Sequence, residues 1–168
     1  MSKIQSEDHP TYAPGKRRIV DDDAIIAQAL DILARRLTSR RAADGAIFSA
    51  PEEVKAYAQL RWAAHEREVF SVLLLDTRHR LIAVVELFLG TVDSASVHPR
   101  EVVKAALSRN ASAVILVHNH PSGIPEPSQA DIAITRKLVE ALAFVEVRVL
   151  DHVVVGEGAV SMAERGLM

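Results

Sequence analysis

The chain has 168 residues, of which 49% are hydrophobic, and its formal net charge is −2 at pH 7. This length predicts one domain with a sizeable core, and the near-neutral charge calls for neither nucleic acid nor an anionic membrane. Because the sequence contains no cysteine, disulfides and thiolate metal sites are excluded. It shows no signal-peptide core and no apolar run of about 20 residues, so we expect a cytoplasmic protein without a membrane partner.

The first 65 residues are predicted to form a leader and two helices. Residues 1–20 are polar and indicate a flexible leader. Acidic residues at 21–23 suit a helix start, and apolar residues then recur at helical spacing. Pro51 suits the first turn of a second helix. We therefore expect a helical segment over residues 21–65, which either packs onto the following domain or forms a small appendage.

Strands and helices alternate from residue 66 to residue 168. The predicted strands are Val69–Leu75, Leu81–Leu89, Val114–Val117, Val145–Val149 and Val153–Val155. The predicted helices begin at Pro99, Ser128 and Ser161. The resulting order, β-β-α-β-α-β-β-α, predicts an α/β fold of the α+β kind, in which helices pack on a mixed sheet.

Two histidines follow the apolar strand that ends at Val117. Side chains at i and i+2 of a strand point the same way, so His118 and His120 can direct two imidazoles to one point. A loop rich in Pro and Gly then leads to a helix whose first turn carries Asp131. Two imidazoles and one carboxylate, with a position left for water, are the ligands expected of a catalytic zinc site. The sequence thus favours an open Zn²⁺ site.

The same residues also have structural interpretations. A histidine at a strand end can cap backbone groups, and the Pro- and Gly-rich loop could simply be stiff. Ser128 followed three residues later by Asp131 is typical of a helix N-cap, and for this pair alone we favour capping. Capping and metal ligation are compatible, because a helix start is a good place to hold a carboxylate still.

A hydrolytic zinc site needs a general base for its water. The residue pattern leaves four candidates: Glu68, Glu86, Glu101 and Glu126. Glu68 immediately precedes a buried strand. Glu86 interrupts an apolar strand, where it could equally belong to the outward face.

The spacing of the site residues resembles a known signature. His118-x-His120, then seven residues, then Ser128-x-x-Asp131 is similar to the motif of the JAMM (MPN/JAB-domain) metalloproteins. The sequence around these positions, including His-Asn-His-Pro-Ser-Gly, resembles that of the RadC branch of this family. So do Leu87-Phe88-Leu89-Gly90-Thr91, Val97-His98-Pro99-Arg100-Glu101, Val149-Leu150-Asp151-His152 and Ala163-Glu164-Arg165-Gly166. The resemblance covers about residues 66–168.

The resemblance implies an MPN/JAB-like (cytidine-deaminase-like) core that binds zinc through His118, His120 and Asp131. It implies that Ser128 positions the water or stabilises the oxyanion. It also implies that Glu68 is the general base rather than Glu86, because its context matches the upstream JAMM glutamate. The expected activity is that of a zinc metallopeptidase or isopeptidase acting on a peptide or protein, with Zn²⁺ as the cofactor.

Two other functions are compatible with the sequence. A RadC-like protein could be an accessory factor in DNA repair or recombination, with DNA as a partner. Full-length RadC proteins carry a helix-hairpin-helix region, however, and residues 1–65 show no Gly-hydrophobic-Gly hairpin of that kind. The resemblance is therefore to a short form, which weakens the transfer of a DNA role. A non-catalytic MPN scaffold is the other alternative, although such domains typically lose metal ligands that this chain keeps.

Overall fold

The computed structural model describes residues 24–32, 50–90 and 97–168. Residues 24–32 form a helix, α1, in which no residue is buried. The predicted leader over residues 1–20 and the acidic helix start at 21–23 lie outside the described residues. None of the described helices is long and apolar enough to cross a membrane.

The rest of the described chain alternates between helices and strands. Its elements are α2 (Pro51–Trp62), β1 (Val69–Leu75), β2 (Leu81–Leu89), α3 (Pro99–Ser108), β3 (Ala113–Asn119), α4 (Gln129–Ala143), β4 (Arg148–Val155) and β5 (Ala159–Ser161). Pro51 and Pro99 each open a helix, where the fixed φ of proline suits the first turn. Ser128 caps α4 in a capping box with Asp131, as predicted.

The described strands form one mixed sheet in the order β2-β1-β3-β4-β5. β1 pairs with β2 and β3 in the antiparallel sense, β3 and β4 are parallel, and β5 returns antiparallel to β4. Helix α4 connects the two parallel strands, as a crossover between parallel strands requires. The mixed α/β architecture predicted from the sequence is confirmed.

Helices cover both faces of this sheet. Helix α2 lies on one face, where Tyr57 and Trp62 are buried in one apolar cluster with Leu73. Helices α3 and α4 lie on the other face, where Val102 and Leu138 belong to a second cluster. The sequence left open whether the second N-terminal helix packs onto the domain, and the structure shows that α2 does.

Two predictions near the C-terminus are wrong. The expected strands Val145–Val149 and Val153–Val155 are replaced by a single strand, β4, which begins only at Arg148, after a turn over residues 144–146, and is not interrupted by the polar residues at 151 and 152. Asp151 Oδ1 accepts hydrogen bonds from the backbone N–H groups of His152 and Ala163, at 2.7 and 3.0 Å, so its carboxylate is satisfied. The expected helix at Ser161 is replaced by β5 and turns.

Candidate metal centre

The strand end of β3 and the first turn of α4 bring three side chains together. His118 Nε2 lies 3.0 Å from His120 Nε2 and 3.2 Å from Asp131 Oδ1. His120 Nε2 lies 3.5 Å from Asp131 Oδ2. His118 is buried, whereas the other two side chains are partly accessible. The three residues predicted from the sequence thus meet as a group that could hold a metal ion.

The spacing of these atoms suits zinc. A tetrahedral zinc ion with ligand bonds of about 2.0–2.1 Å keeps its ligand atoms about 3.3 Å apart. The contacts of 3.0, 3.2 and 3.5 Å among His118, His120 and Asp131 bracket that value. Nitrogen and carboxylate donors are also the chemistry that zinc accepts in catalytic sites.

Hydrogen bonds to two carbonyl oxygens determine which ring nitrogens carry protons. His120 Nδ1 lies 2.8 Å from the carbonyl oxygen of Ile124, which can only accept, so Nδ1 carries the proton. Thr135 Oγ1 donates to the carbonyl of Asp131 and must therefore accept from His152 Nδ1, at 2.6 Å. His152 Nε2 then accepts from His118 Nδ1, at 2.8 Å. The Nε2 atoms of His118 and His120, which face each other in the cluster, are both left with lone pairs.

The electrostatics of the cluster call for a cation. Burial lowers the pKa of His152 well below its usual value, so that ring is neutral, as the hydrogen-bond chain requires. When a proton occupies the cluster, the hydrogen bond with Asp131 raises the pKa of His120. Burial alone would raise the pKa of Asp131, but the hydrogen bonds that the rings of His118 and His120 form with it in that protonated state outweigh burial and hold the pKa of Asp131 far below its usual range. Two lone pairs and a carboxylate face one another, and only a metal ion or a proton between them relieves the repulsion.

Ser128 forms hydrogen bonds with the carboxylate of Asp131. Its Oγ donates to Asp131 Oδ2 at 2.6 Å and accepts from the backbone N–H of Asp131 at 3.2 Å. The backbone N–H of Ser128 also donates to Asp131 Oδ2, at 2.7 Å. The capping predicted for this pair is present, and it fixes the carboxylate that faces the histidines.

Glu68 lies beside the cluster, at the edge of a cleft of about 670 Å³. The described residues that line this cleft are Glu66, Arg67, Glu68, Gly90, His120, Pro121 and Ser122. Glu68 is half-buried, and its negative charge adds to the effect of Asp131 in raising the pKa of His120. The cleft therefore places the predicted base next to a predicted ligand.

Glu86, the alternative base, is held elsewhere. Its Oε1 accepts from Arg61 Nη2 at 3.0 Å and from Trp62 Nε1 at 3.3 Å. Both donors belong to α2, which covers the face of the sheet opposite α3 and α4. His118 lies on the α4 side, where its ring stacks on Phe70. This geometry favours Glu68 over Glu86.

Sequence patterns did not single out the side chains that hydrogen-bond to the predicted metal ligands. In the sequence, His152 belongs to one of the RadC-like segments and Asn119 is the residue between the two histidines, but no pattern assigns a role to either of them or to Thr135. One signal was available, because Asp151 and His152 interrupt an apolar stretch that the fold buries. Buried polar side chains need partners, and for His152, which is fully buried, those partners are His118 and Thr135.

The loop after His120 is pinned by the turn that follows β4. The backbone N–H of His120 donates to the Val155 carbonyl at 2.7 Å, and the Glu157 N–H donates to the Gly123 carbonyl at 2.7 Å. At Gly156 the two backbones come so close that an added Cβ would lie 2.7 Å from the Gly123 carbonyl carbon and 2.8 Å from the Pro125 nitrogen. This contact leaves room only for glycine.

We expect Gly156→Ala to lower the free energy of unfolding by about 1–3 kcal/mol, because overpacked backbone must shift. The shift displaces the loop that carries His120, so zinc affinity should fall as well. Thermal unfolding and zinc titration measure the two effects. Gly158→Ala is the matched control, since an added Cβ there meets nothing within 4 Å. Equal stability in the two variants would contradict the close approach.

The comparisons with known proteins agree with the fold and the cluster. A family model described as a RadC-like JAB domain matches residues 48–167. A UPF0758 protein of Methylibium petroleiphilum is 58% identical over 146 residues, which cover 86% of this chain and 65% of the relative. A UPF0758 protein of Vibrio cholerae is 51% identical over 160 residues, which cover 93% of this chain and 98% of the relative.

A helix-covered mixed sheet with a His-His-Asp cluster at a strand end defines a domain of the JAB class. The chain belongs to the RadC-like JAB-domain family. The matched residues begin at 48 and so include α2, which packs on the sheet. The chain spans less than two thirds of the length of relatives such as the Methylibium protein and the UPF0758 protein of Thioalkalivibrio sulfidiphilus, at 65% and 63%. The name shared by these relatives states no activity.

Proposed function

We propose that this chain is a zinc-dependent hydrolase of the JAMM type, which cuts an amide bond in a peptide or an isopeptide. The observation that carries the proposal is the convergence of His118, His120 and Asp131 within 3.0–3.5 Å beside a cleft that also contains Glu68. Three protein ligands leave a position for water, which is the arrangement of catalytic rather than structural zinc sites.

A zinc ion held by His118, His120 and Asp131 would supply Lewis-acid chemistry, which activates water near neutral pH and polarises a carbonyl. The protein's own contribution begins with rigid ligands. His152 holds the ring of His118, and Ile124 holds the ring of His120. Such partners orient ligands and keep their lone pairs directed at the metal.

Glu68 supplies the proton transfer in this proposal. Its carboxylate accepts a proton from the attacking water as the carbon–oxygen bond forms. It then returns that proton to the leaving nitrogen as the carbon–nitrogen bond breaks, so that the carboxylate is regenerated. The half-buried position of Glu68 in the cleft with His120 supports this role.

Ser128 has two proposed roles that differ in where its hydroxyl points. In the present geometry the hydroxyl donates to Asp131 and orients that ligand. Stabilisation of a tetrahedral oxyanion, the role implied by the resemblance, requires the hydroxyl to turn toward the substrate carbonyl. The backbone N–H of Ser128 would still hold Asp131 after such a rotation.

The proposed function is tested by hydrolysis of a mixed panel of peptides and lysine isopeptides. We expect cleavage by zinc-loaded protein, loss of cleavage after the metal is removed with a chelator, and recovery when zinc is restored. Zinc-loaded protein that turns over no member of the panel would contradict the proposed hydrolase and favour a non-catalytic scaffold.

A further inference from the structure

Asn119 lies between the two histidines of the cluster, and its side chain faces the other way. Alternation along β3 places His118 on the side of α3 and α4 and Asn119 on the side of α2. Asn119 is 1% exposed. A buried amide has to be hydrogen-bonded, and the partners of Asn119 all belong to the segment 65–69 that carries Glu68.

All three of these hydrogen bonds are formed with backbone atoms. Asn119 Oδ1 accepts from the Val69 N–H at 2.8 Å. Asn119 Nδ2 donates to the carbonyl oxygens of Arg67 and His65, at 3.0 and 3.3 Å. Since the N–H can only donate and the carbonyls can only accept, the orientation of the amide is fixed.

The hydrogen bonds of the Asn119 side chain begin where the backbone pairing between β1 and β3 ends. The pairing of β1 with β3 ends at Phe70 and His118, so no ladder bond to β3 reaches Glu68. On the β2 side, the Gly90 N–H donates to the Glu68 carbonyl at 2.8 Å. On the β3 side, the amide of Asn119 takes the place of the missing ladder. Glu68 is therefore fixed from both sides, and one of its two anchors is the residue between the ligands.

We propose that Asn119 is a positioning residue, which fixes the distance between the general base Glu68 and the metal. This inference rests on the proposed function. One residue couples the two halves of the site, because its neighbours in sequence are the ligands and its hydrogen-bond partners flank the base. Asn119 itself touches neither metal nor substrate.

Two variants separate this role from general support of the fold. Asn119→Ala removes all three bonds and leaves the Val69 N–H without its partner. Asn119→Asp keeps the acceptor for Val69 but sets an oxygen against the carbonyls of His65 and Arg67. Ser71→Ala is the control, because Ser71 is buried on β1 and its Oγ has no hydrogen-bond partner among the described residues.

Hydrogen exchange of the zinc-loaded protein measures the anchoring directly. We expect the Val69 N–H to exchange about tenfold faster in Asn119→Ala, which removes its acceptor, and less than tenfold faster in Asn119→Asp, which keeps the acceptor but loses the two bonds to the carbonyls, with the rest of β1 unchanged. Ser71→Ala should exchange like the wild type at this position. Unchanged exchange of the Val69 N–H in both Asn119 variants would overturn the proposal.

Cobalt in place of zinc reports the effect on the metal site. We expect Glu68→Gln and Asn119→Ala to shift the pH midpoint of the cobalt absorption in the same direction, by about one pH unit. The first variant removes the negative charge beside the metal site, and the second no longer holds that charge in place. A midpoint that moves in Glu68→Gln but stays at the wild-type value in both Asn119 variants would overturn the positioning role. Wild-type protein that binds neither metal would overturn the proposed function instead, and the role assigned to Asn119 with it.

Discussion

Glu68→Gln is expected to lower the rate of amide hydrolysis by about 10²–10⁴-fold, the usual contribution of a general base. The glutamine keeps the size of the side chain but cannot accept and return the proton. Zinc content should not change, because Glu68 is not among the three converging ligands. The rate is measured on whichever substrate of the panel the wild type cleaves.

Glu86→Gln is the matched control for this change. Glu86 is bound to Arg61 and Trp62 on the opposite face of the sheet, so its loss should leave the rate within about twofold of the wild type. If Glu86→Gln lost the activity and Glu68→Gln kept it, the assignment of the base would be reversed.

His152→Leu is expected to weaken zinc binding by about 10–100-fold, as the loss of a ligand's hydrogen-bond partner does. Without the Nε2 acceptor, the Nδ1–H of His118 loses its partner in a buried setting and the ring no longer holds its lone pair on the metal. Competition with a chromophoric chelator gives the affinity. Thermal unfolding of the zinc-free protein, measured in parallel, shows whether the fold is kept.

His152→Gln separates hydrogen bonding from packing. Its amide oxygen can reach the position from which Nε2 accepts, so we expect it to recover part of the affinity that leucine loses. Zinc affinity equal to that of the wild type in His152→Leu would show that the chain from His118 through His152 to Thr135 does not support the metal site.

The sequence was sufficient to predict those features that depend only on residues close together in the chain. Prolines at 51 and 99 marked helix starts, and the capping pair Ser128 and Asp131 marked the start of α4. The spacing of His118 and His120 on one strand predicted that their rings converge, since residues two apart share a face. The resemblance to the JAMM signature added Glu68, which periodicity alone could not separate from Glu86.

The features that escaped prediction depend on contacts between distant parts of the chain. Asp151 and His152 looked like a break in an apolar pattern, and only the pairing of β4 with β3 shows that His152 lies against His118. In the sequence, Asn119 is simply the residue between His118 and His120. Its role emerges only because the β1–β3 ladder ends one residue short of Val69. Neither register is encoded in local spacing.

The zinc content of the purified protein tests the central claim most directly. We expect about one zinc per chain in the wild type and a loss of most of it in His118→Ala and in His120→Ala, since each removes one of three ligands. His120 is only partly buried, so we expect His120→Ala to keep the fold. A loss of zinc in this variant would therefore reflect the missing ligand and not unfolding. Equal and negligible zinc in all three proteins would contradict a metal centre at His118, His120 and Asp131.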